Sequence, residues 1–250
     1  MVRNASLRRL YVDHTLSNAQ RVPLSRDQAH YLFNVMRMAV GDAVVLFNGS
    51  NGEWQATIAE AGKKGGILIC DTQTRPQTTP PDLWLMCAPI RKERMAFVVE
   101  KAVELGVSKI VPVQTEYTQG ANRIRPEKLQ ATAIEAAEQC EGLSVPDVLE
   151  LQKLKTVLSD WDTSRKILHC DESLVGSEAQ TGLSQFSRPA GPWAILIGPE
   201  GGFSPAEKEL LGSNLQDTIV PIGLGPRILR AETAAVAALT LWQSTLGDWA

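Results

Sequence analysis

Residues 196–207 read LIGPEGGFSPAE, a glycine loop set between an apolar run and the start of a helix. The run before it, Trp193-Ala194-Ile195-Leu196-Ile197, is short, apolar throughout and bounded by turn formers, the pattern of a strand buried on both faces. Ser204 suits an N-cap and Pro205 the first helical position, and Glu207, three residues past the cap, completes a capping box. At such a strand–loop–helix junction, glycines let backbone N–H groups come close to a bound molecule, and the helix N-terminus favours negative charge. The competing reading is a tight strand-to-helix turn with no ligand.

The flanking chain continues the alternation. Leu83 to Ala88 reads as a strand and Arg91 to Leu105 as a helix with Met95, Val98, Val99, Ala102 and Leu105 on one side. Gly106 is its stop, and Ile110 to Val113 is the next strand, giving a βαβ unit. A helix over Lys128 to Cys140 and strands at Lys166 to His169 and Thr218 to Ile222 extend this into an α/β domain with a mostly parallel sheet, residues 83–250. Ligands of such sheets bind beyond the carboxyl ends of the strands.

Residues 1–74 differ in character. Leu10-Tyr11-Val12, Ala43 to Phe47, Trp54 to Ile58 and Ile67 to Cys70 read as short strands, joined by turns at Asn48-Gly49-Ser50-Asn51-Gly52 and Lys63-Lys64-Gly65-Gly66. Ser25 and Gln28 offer a capping box for one helix running to about Met38. Strands around one helix predict a compact β-barrel. TQTRPQTTPPD, residues 72–82, has three prolines and no periodicity, and predicts an extended linker over 75–82.

Composition narrows the function. The four cysteines form no C-x-x-C pair and the three histidines are dispersed, so buried reduced thiols are expected and a metal site is not. No signal region opens the chain and no apolar run could span a membrane, which predicts a cytoplasmic protein. The net charge of −3 hides a basic N-terminal end, with Arg3, Arg8, Arg9, Arg21, Arg26 and Arg37 against Asp13 and Asp27. That end suits a phosphate-seeking module, against the plainer reading of solvated arginines.

A second loop follows the strand ending at Ile222: GLGPRILRAETAAVAALTLWQ, residues 223–243. Its alanines permit close helix packing, but Arg227 and Arg230 ask for another explanation. Neither loop matches G-x-G-x-x-G or G-x-x-x-x-G-K-[ST], so the dinucleotide and phosphate-loop folds lack support.

The paired stretches LIGPEGGFSPAE and LGPRILRAETA resemble the signature of the ribosomal RNA small subunit methyltransferase E family, which methylates uracil N3 in 16S rRNA and belongs to the knotted SPOUT superfamily. Residues 100–107 (EKAVELGV), 135–139 (EAAEQ), Arg9 with Tyr11, and His30 with 35–38 (VMRM) are similar to further family blocks in the same order. The resemblance implies a PUA-like barrel followed by an α/β domain tied in a deep trefoil knot, a rare exception to unknotted connectivity. It implies S-adenosylmethionine as cofactor, a homodimer, and 16S rRNA or the small ribosomal subunit as partner, with no membrane or metal involved.

On this resemblance Gly198, Pro199, Glu200, Gly201 and Gly202 form one wall of the cofactor pocket. Ile222, Leu224, Gly225, Ile228, Leu229 and Arg230 form another, and the loop after His169 a third. Arg230 and then Arg227 are expected to stabilise the uracil anion, with Glu200 a candidate base or a structural acceptor. Arg9, Tyr11, His30 and Arg37 are the expected RNA contacts. The chain departs from the family where arginines commonly follow Glu116 and Gln139; it has Tyr117, and Cys140-Glu141-Gly142, there. Ala231 replaces a frequent small hydroxyl residue. The altered arginine positions and the net negative charge motivate a rival reading, an RNA-binding assembly factor that retains the fold without methylating; a small-molecule enzyme holding an anion at Gly201-Gly202 is a third.

Overall fold

The structure is a computed structural model describing residues 7–62, 65–119, 124–176, 183, 185–186, 191–213, 215 and 217–250. Arg3 and the Lys63-Lys64 pair of the expected turn lie outside the described residues. The chain forms two compact units: one runs to Thr79 and takes in Ala137–Val145, and the other holds Pro80–Ala136 and Pro146–Ala250.

The first unit contains β1 (Arg8–Tyr11), β2 (Arg21–Pro23), α1 (Arg26–Ala29), β3 (Ala43–Phe47), β4 (Glu53–Gly62) and β5 (Gly65–Arg75). They make a five-stranded sheet in the order β1-β3-β4-β5-β2. Only the β1–β3 pair is parallel. Register shifts along β4 and β5 mark bulges, which bend a sheet, and Leu10 of β1 and Val22 of β2, at opposite edges, meet in one apolar core with Leu32, Leu46, Ile58 and Leu68.

The capping box forms as the sequence indicates: Gln28 N–H donates to Ser25 Oγ at 3.2 Å, and Ser25 N–H donates to Gln28 Oε1 at 2.9 Å. The helix itself departs from expectation. It is α-helical only to Ala29 and continues as a π-helical segment, His30–Val35, closed by Met36 N–H to Tyr31 O at 2.9 Å. The wider winding brings Tyr31, Leu32 and Phe33, three consecutive residues, against the core. Gly66 makes room for Phe33, whose Cζ would lie 2.7 Å from a side chain there. Arg37, at φ +58, ends the segment.

The sheet reaches one residue into the expected linker, because β5 runs through Arg75, and just before it Thr74 Oγ1 donates to Glu53 Oε1 at 2.7 Å. The inclusion of 137–145 in this unit is local chemistry. Tyr11 N–H donates to Glu138 Oε1 at 2.9 Å, Arg9 donates to Gly142 O at 2.6 Å, and Arg75 donates to Glu141 O at 3.0 Å.

The second unit contains β6 (Leu83–Cys87), α2 (Lys92–Glu104), β7 (Lys109–Gln114), α3 (Pro126–Gln139, whose last turn belongs to the first unit), β8 (Asp147–Val148), β9 (Gln152–Lys153), α4 (Leu154–Ser159), β10 (Lys166–Cys170), β11 (Trp193–Ile197), α5 (Pro205–Ser213), β12 (Ile219–Ile222) and α6 (Ala231–Thr245). The sheet order is β12-β10-β11-β6-β7-β8 with β9 also on β7, every pair parallel. β11 is buried at all five residues, as its unbroken apolar run requires. Gly106 stops α2 at φ +73, where buried Gln243 of α6 donates to Leu105 O at 2.6 Å. No helix among the described residues is long and apolar enough to cross a membrane. Cys70 and Cys87 are buried, and burial pushes the Cys87 thiol up to about 12; Cys140, expected to be buried, is exposed.

Candidate active site

Four junctions of the second unit converge at the carboxyl ends of the parallel strands: the loops after β10, β11 and β12 and the turn from β6 into α2. They enclose a cavity of about 780 Å³, within the range of small-molecule and cofactor sites.

The loop after β11 is shaped by its glycines and its cap. Ser204 N–H donates to Glu207 Oε2 at 2.9 Å and Glu207 N–H to Ser204 Oγ at 3.3 Å, so the predicted capping box starts α5. The other Glu207 oxygen accepts Glu116 N–H at 2.9 Å, fixing the loop after β7 as well. Gly202 has φ +69, and a side chain there would sit 2.5 Å from Glu172 Oε1. At Gly223, after β12, a side chain would lie 2.7 Å from Leu174 O, so the loops after β10 and β12 approach backbone to backbone.

Most of the sequence-predicted pocket residues meet here. Gly198, Pro199, Glu200 and Gly202 line the cavity from the β11 side, and Ile222, Leu224, Ile228, Leu229, Arg227 and Arg230 from the β12 side. Gly201 and Gly225 do not line it. Gly201 faces Tyr117, whose Cβ is 3.3 Å from where a side chain would begin, and Gly225 turns at φ +100 with its carbonyl accepting Gly176 N–H at 3.3 Å. The loop after β10 contributes Asp171, Glu172 and Ser173 as the expected third wall. His169, only 8% exposed, lines the cavity with Nε2 lacking a hydrogen-bond partner. Desolvation lowers its pKa, assisted by Lys208 and opposed by Asp171, which favours a neutral ring.

Arg91 and Arg94, at the start of α2, also line the cavity and were not singled out from the sequence. Arg94 is an ion-pair hub: its Nη1 donates to Glu200 Oε1 at 2.5 Å and its Nε lies 3.5 Å from Glu232 Oε1. One guanidinium thus ties the loop after β11 to the first turn of α6. Glu200, of the two roles expected for it, is seen here in an ion pair with Arg94.

The four expected RNA contacts lie in the first unit and differ in kind. Arg9 is largely buried, paired with Glu53, bonded to Gly142 O and stacked 4.7 Å over the Phe47 ring. A guanidinium so engaged holds the unit together and is not presented to a phosphate, which corrects its assignment. Tyr11 is half-buried, edge-on to Phe47 at 5.7 Å. His30 and Arg37 are exposed, His30 with Nδ1 2.8 Å from Asn34 Nδ2.

Comparison with known proteins matches two families along the chain. An RNA methyltransferase domain family matches residues 77–243 and an RNA methyltransferase PUA domain family residues 24–69. Ribosomal RNA small subunit methyltransferase E of Rickettsia conorii is 32% identical over 92% of this chain and 93% of its own. The protein of that name from Buchnera aphidicola subsp. Schizaphis graminum is 31% identical over 96% and 97%. The crystal structure of ribosomal RNA small subunit methyltransferase E from Neisseria gonorrhoeae bound to S-adenosyl methionine superposes with a TM-score of 0.84 at 27% identity, covering 98% of this chain and 100% of that one.

Proposed function

The chain belongs to the ribosomal RNA small subunit methyltransferase E family, and on that premise we propose that it methylates N3 of a uridine in 16S rRNA. It is an S-adenosylmethionine-dependent methyltransferase acting on ribosomal RNA. The observation that carries the finer reading is the convergence of both glycine loops, with Arg227 and Arg230, on one cavity at the strand ends.

The cavity fits the cofactor on its own features. Its apolar wall, including Ile197, Leu211 and Ile222, suits a purine ring, and the unpartnered His169 is a buried polar group at the same wall. The residues we assign to holding it are Gly198, Pro199, Gly202, Ile222, Leu224 and Leu229, with Gly201 and Gly225 shaping the loops from behind. When bound, S-adenosylmethionine supplies a methyl group already activated on a sulfonium. What remains for the protein is alignment and charge. Uracil N3 is a poor nucleophile while protonated; Arg230 stabilises the anion through the carbonyl oxygens that flank N3. With the N3 proton passed to solvent water, the uridine would accept the methyl group as its anion, and the arginine would hold the charge on the flanking oxygens.

The uridine must leave its stack to reach the cavity, and we assign the grip on the surrounding RNA to the exposed Arg37 and His30 of the first unit. We also propose the trefoil knot on the family resemblance; in the sheet β12 pairs with β10 and not with β11, so the connection from β11 skips past β10. A homodimer is proposed on the exposed Phe97 of α2 and Leu241 of α6, apolar side chains on helices of the cofactor unit, and light scattering at micromolar concentration tests it. With 16S rRNA or the small ribosomal subunit as substrate, we place the protein in the cytoplasm.

Mass spectrometry of rRNA nucleosides from cells with and without the protein tests the reaction. Loss of 3-methyluridine from 16S rRNA is expected; an unchanged nucleoside profile with intact rRNA binding would favour the assembly-factor reading instead.

A further inference from the structure

The four arginines that line the cavity divide into two kinds. Arg94 is spent on Glu200 and Glu232. Arg91, Arg227 and Arg230 make no ion pair with a described residue, and all three are exposed. Their placement raises the electrostatic cost. Arg91 is the N-cap residue of the 13-residue α2 and Arg230 that of the 15-residue α6, and neither side chain caps its helix. Asp, Asn, Ser and Thr are the residues that satisfy an N-terminus, whose partial positive charge an arginine only increases. Two helices therefore open onto one cavity with a cation where a cap belongs, beside a buried histidine nitrogen that has no partner.

Unpaired cations and uncapped N–H groups facing a cavity call for an anion. The cofactor is a poor match, since its single carboxylate is outweighed by its own ammonium and sulfonium. The carboxylates suited to a sulfonium, Asp171 and Glu172, stand on the loop after β10, whereas the arginines stand on the β6–α2 and β12–α6 junctions.

We infer that Arg91 and Arg227 form a cradle for the phosphates flanking the target nucleotide, so that the methyltransferase unit holds its own stretch of RNA backbone while Arg230 attends to the base. This rests on the reading of the cavity as an RNA methylation site. Arg91 positions the substrate and does not touch the reacting atoms.

The test uses the full chain, a single-stranded RNA carrying the target uridine, and S-adenosylmethionine. RNA affinity is measured over a salt series, cofactor affinity by calorimetry, and methylation in single turnover. Arg91→Ala and Arg227→Ala should each flatten the slope of log affinity against log salt by about 0.7, the value per phosphate for a single strand. Arg91→Lys should keep the slope, and cofactor affinity should be unchanged in Arg91→Ala. The Arg91→Ala loss should fall on the RNA concentration giving half-maximal rate and not on the rate at saturation. An unaltered salt slope in both Arg91→Ala and Arg91→Gln overturns the cradle, and weakened cofactor binding with an unaltered slope reassigns Arg91 to the cofactor carboxylate. Failure of the wild type to bind S-adenosylmethionine would instead count against the functional reading.

Discussion

Arg94 and Glu200 stand 2.5 Å apart, N to O, and this pair joins the first turn of α2 to the glycine loop after β11. With Glu232 3.5 Å from the same guanidinium, the pair sets the distance between the two loops that hold the cofactor. Arg94→Ala is therefore expected to weaken S-adenosylmethionine binding by about fivefold, the scale of a partly exposed ion pair, with Arg94→Lys recovering part of the loss. Calorimetry measures this directly. Cofactor affinity unchanged in Arg94→Ala would mean that the loops hold their spacing without the clamp.

Two adjacent glycines of the loop after β11 are predicted to behave differently. Gly202→Ala places a side chain in left-handed backbone, φ +69, and against the flexible end of Glu172. The carboxylate can move aside but the backbone strain stays, so a loss of about 1 kcal/mol in stability and a weaker cofactor complex are expected. Gly201→Ala meets the Tyr117 side chain, nearest at Cβ, 3.3 Å, and should leave cofactor affinity nearly intact. Denaturant titrations and calorimetry on both variants check the contrast.

Arg9 and Arg37 should separate stability from RNA binding. Arg9→Ala leaves the buried Glu53 carboxylate with Arg75, at 3.4 Å, and the Thr74 hydroxyl as its remaining partners, and is expected to cost about 2 kcal/mol of unfolding free energy. Arg37→Ala alters an exposed side chain; it should leave the unfolding midpoint in place and flatten the salt dependence of RNA binding by about 0.7. A salt slope equal to wild type in Arg37→Ala removes that residue from the RNA contacts.

His169 gives the protein without cofactor a pH dependence of known sign. Burial lowers its folded pKa below the ordinary 6.5, so below that pH the unfolded chain binds the proton more readily. Its contribution to stability is complete above pH 6.5 and is lost as pH falls toward the lower folded value. His169→Gln should flatten this part of the stability profile, as urea midpoints above and below pH 6.5 would reveal.

Local patterns carried most of the fold. The unbroken apolar run of β11, the Ser204–Glu207 box, and Gly106 at the end of α2 each involve residues within a few positions of one another, and each stands as the sequence indicates. What escaped notice depends on partners far along the chain. Arg94 reads as one charge on a helix start until the fold brings in Glu200, 106 residues away. Arg9 fails for the opposite reason: counting charges in residues 1–40 found a basic end, but burial and the ion pair with Glu53 decide whether a guanidinium reaches solvent. The π-helical winding after Ala29 follows from three side chains competing for one core, which no helical period expresses.

The segment Ala137–Val145 bears on how the protein is made. It leaves the ribosome some sixty residues after Thr79, yet Arg9, Tyr11 and Arg75 depend on it for hydrogen bonds. A nascent chain can therefore collapse its N-terminal core early but cannot finish it until α3 has emerged, and a fragment cut at the proline-rich stretch would be missing a piece of its own fold.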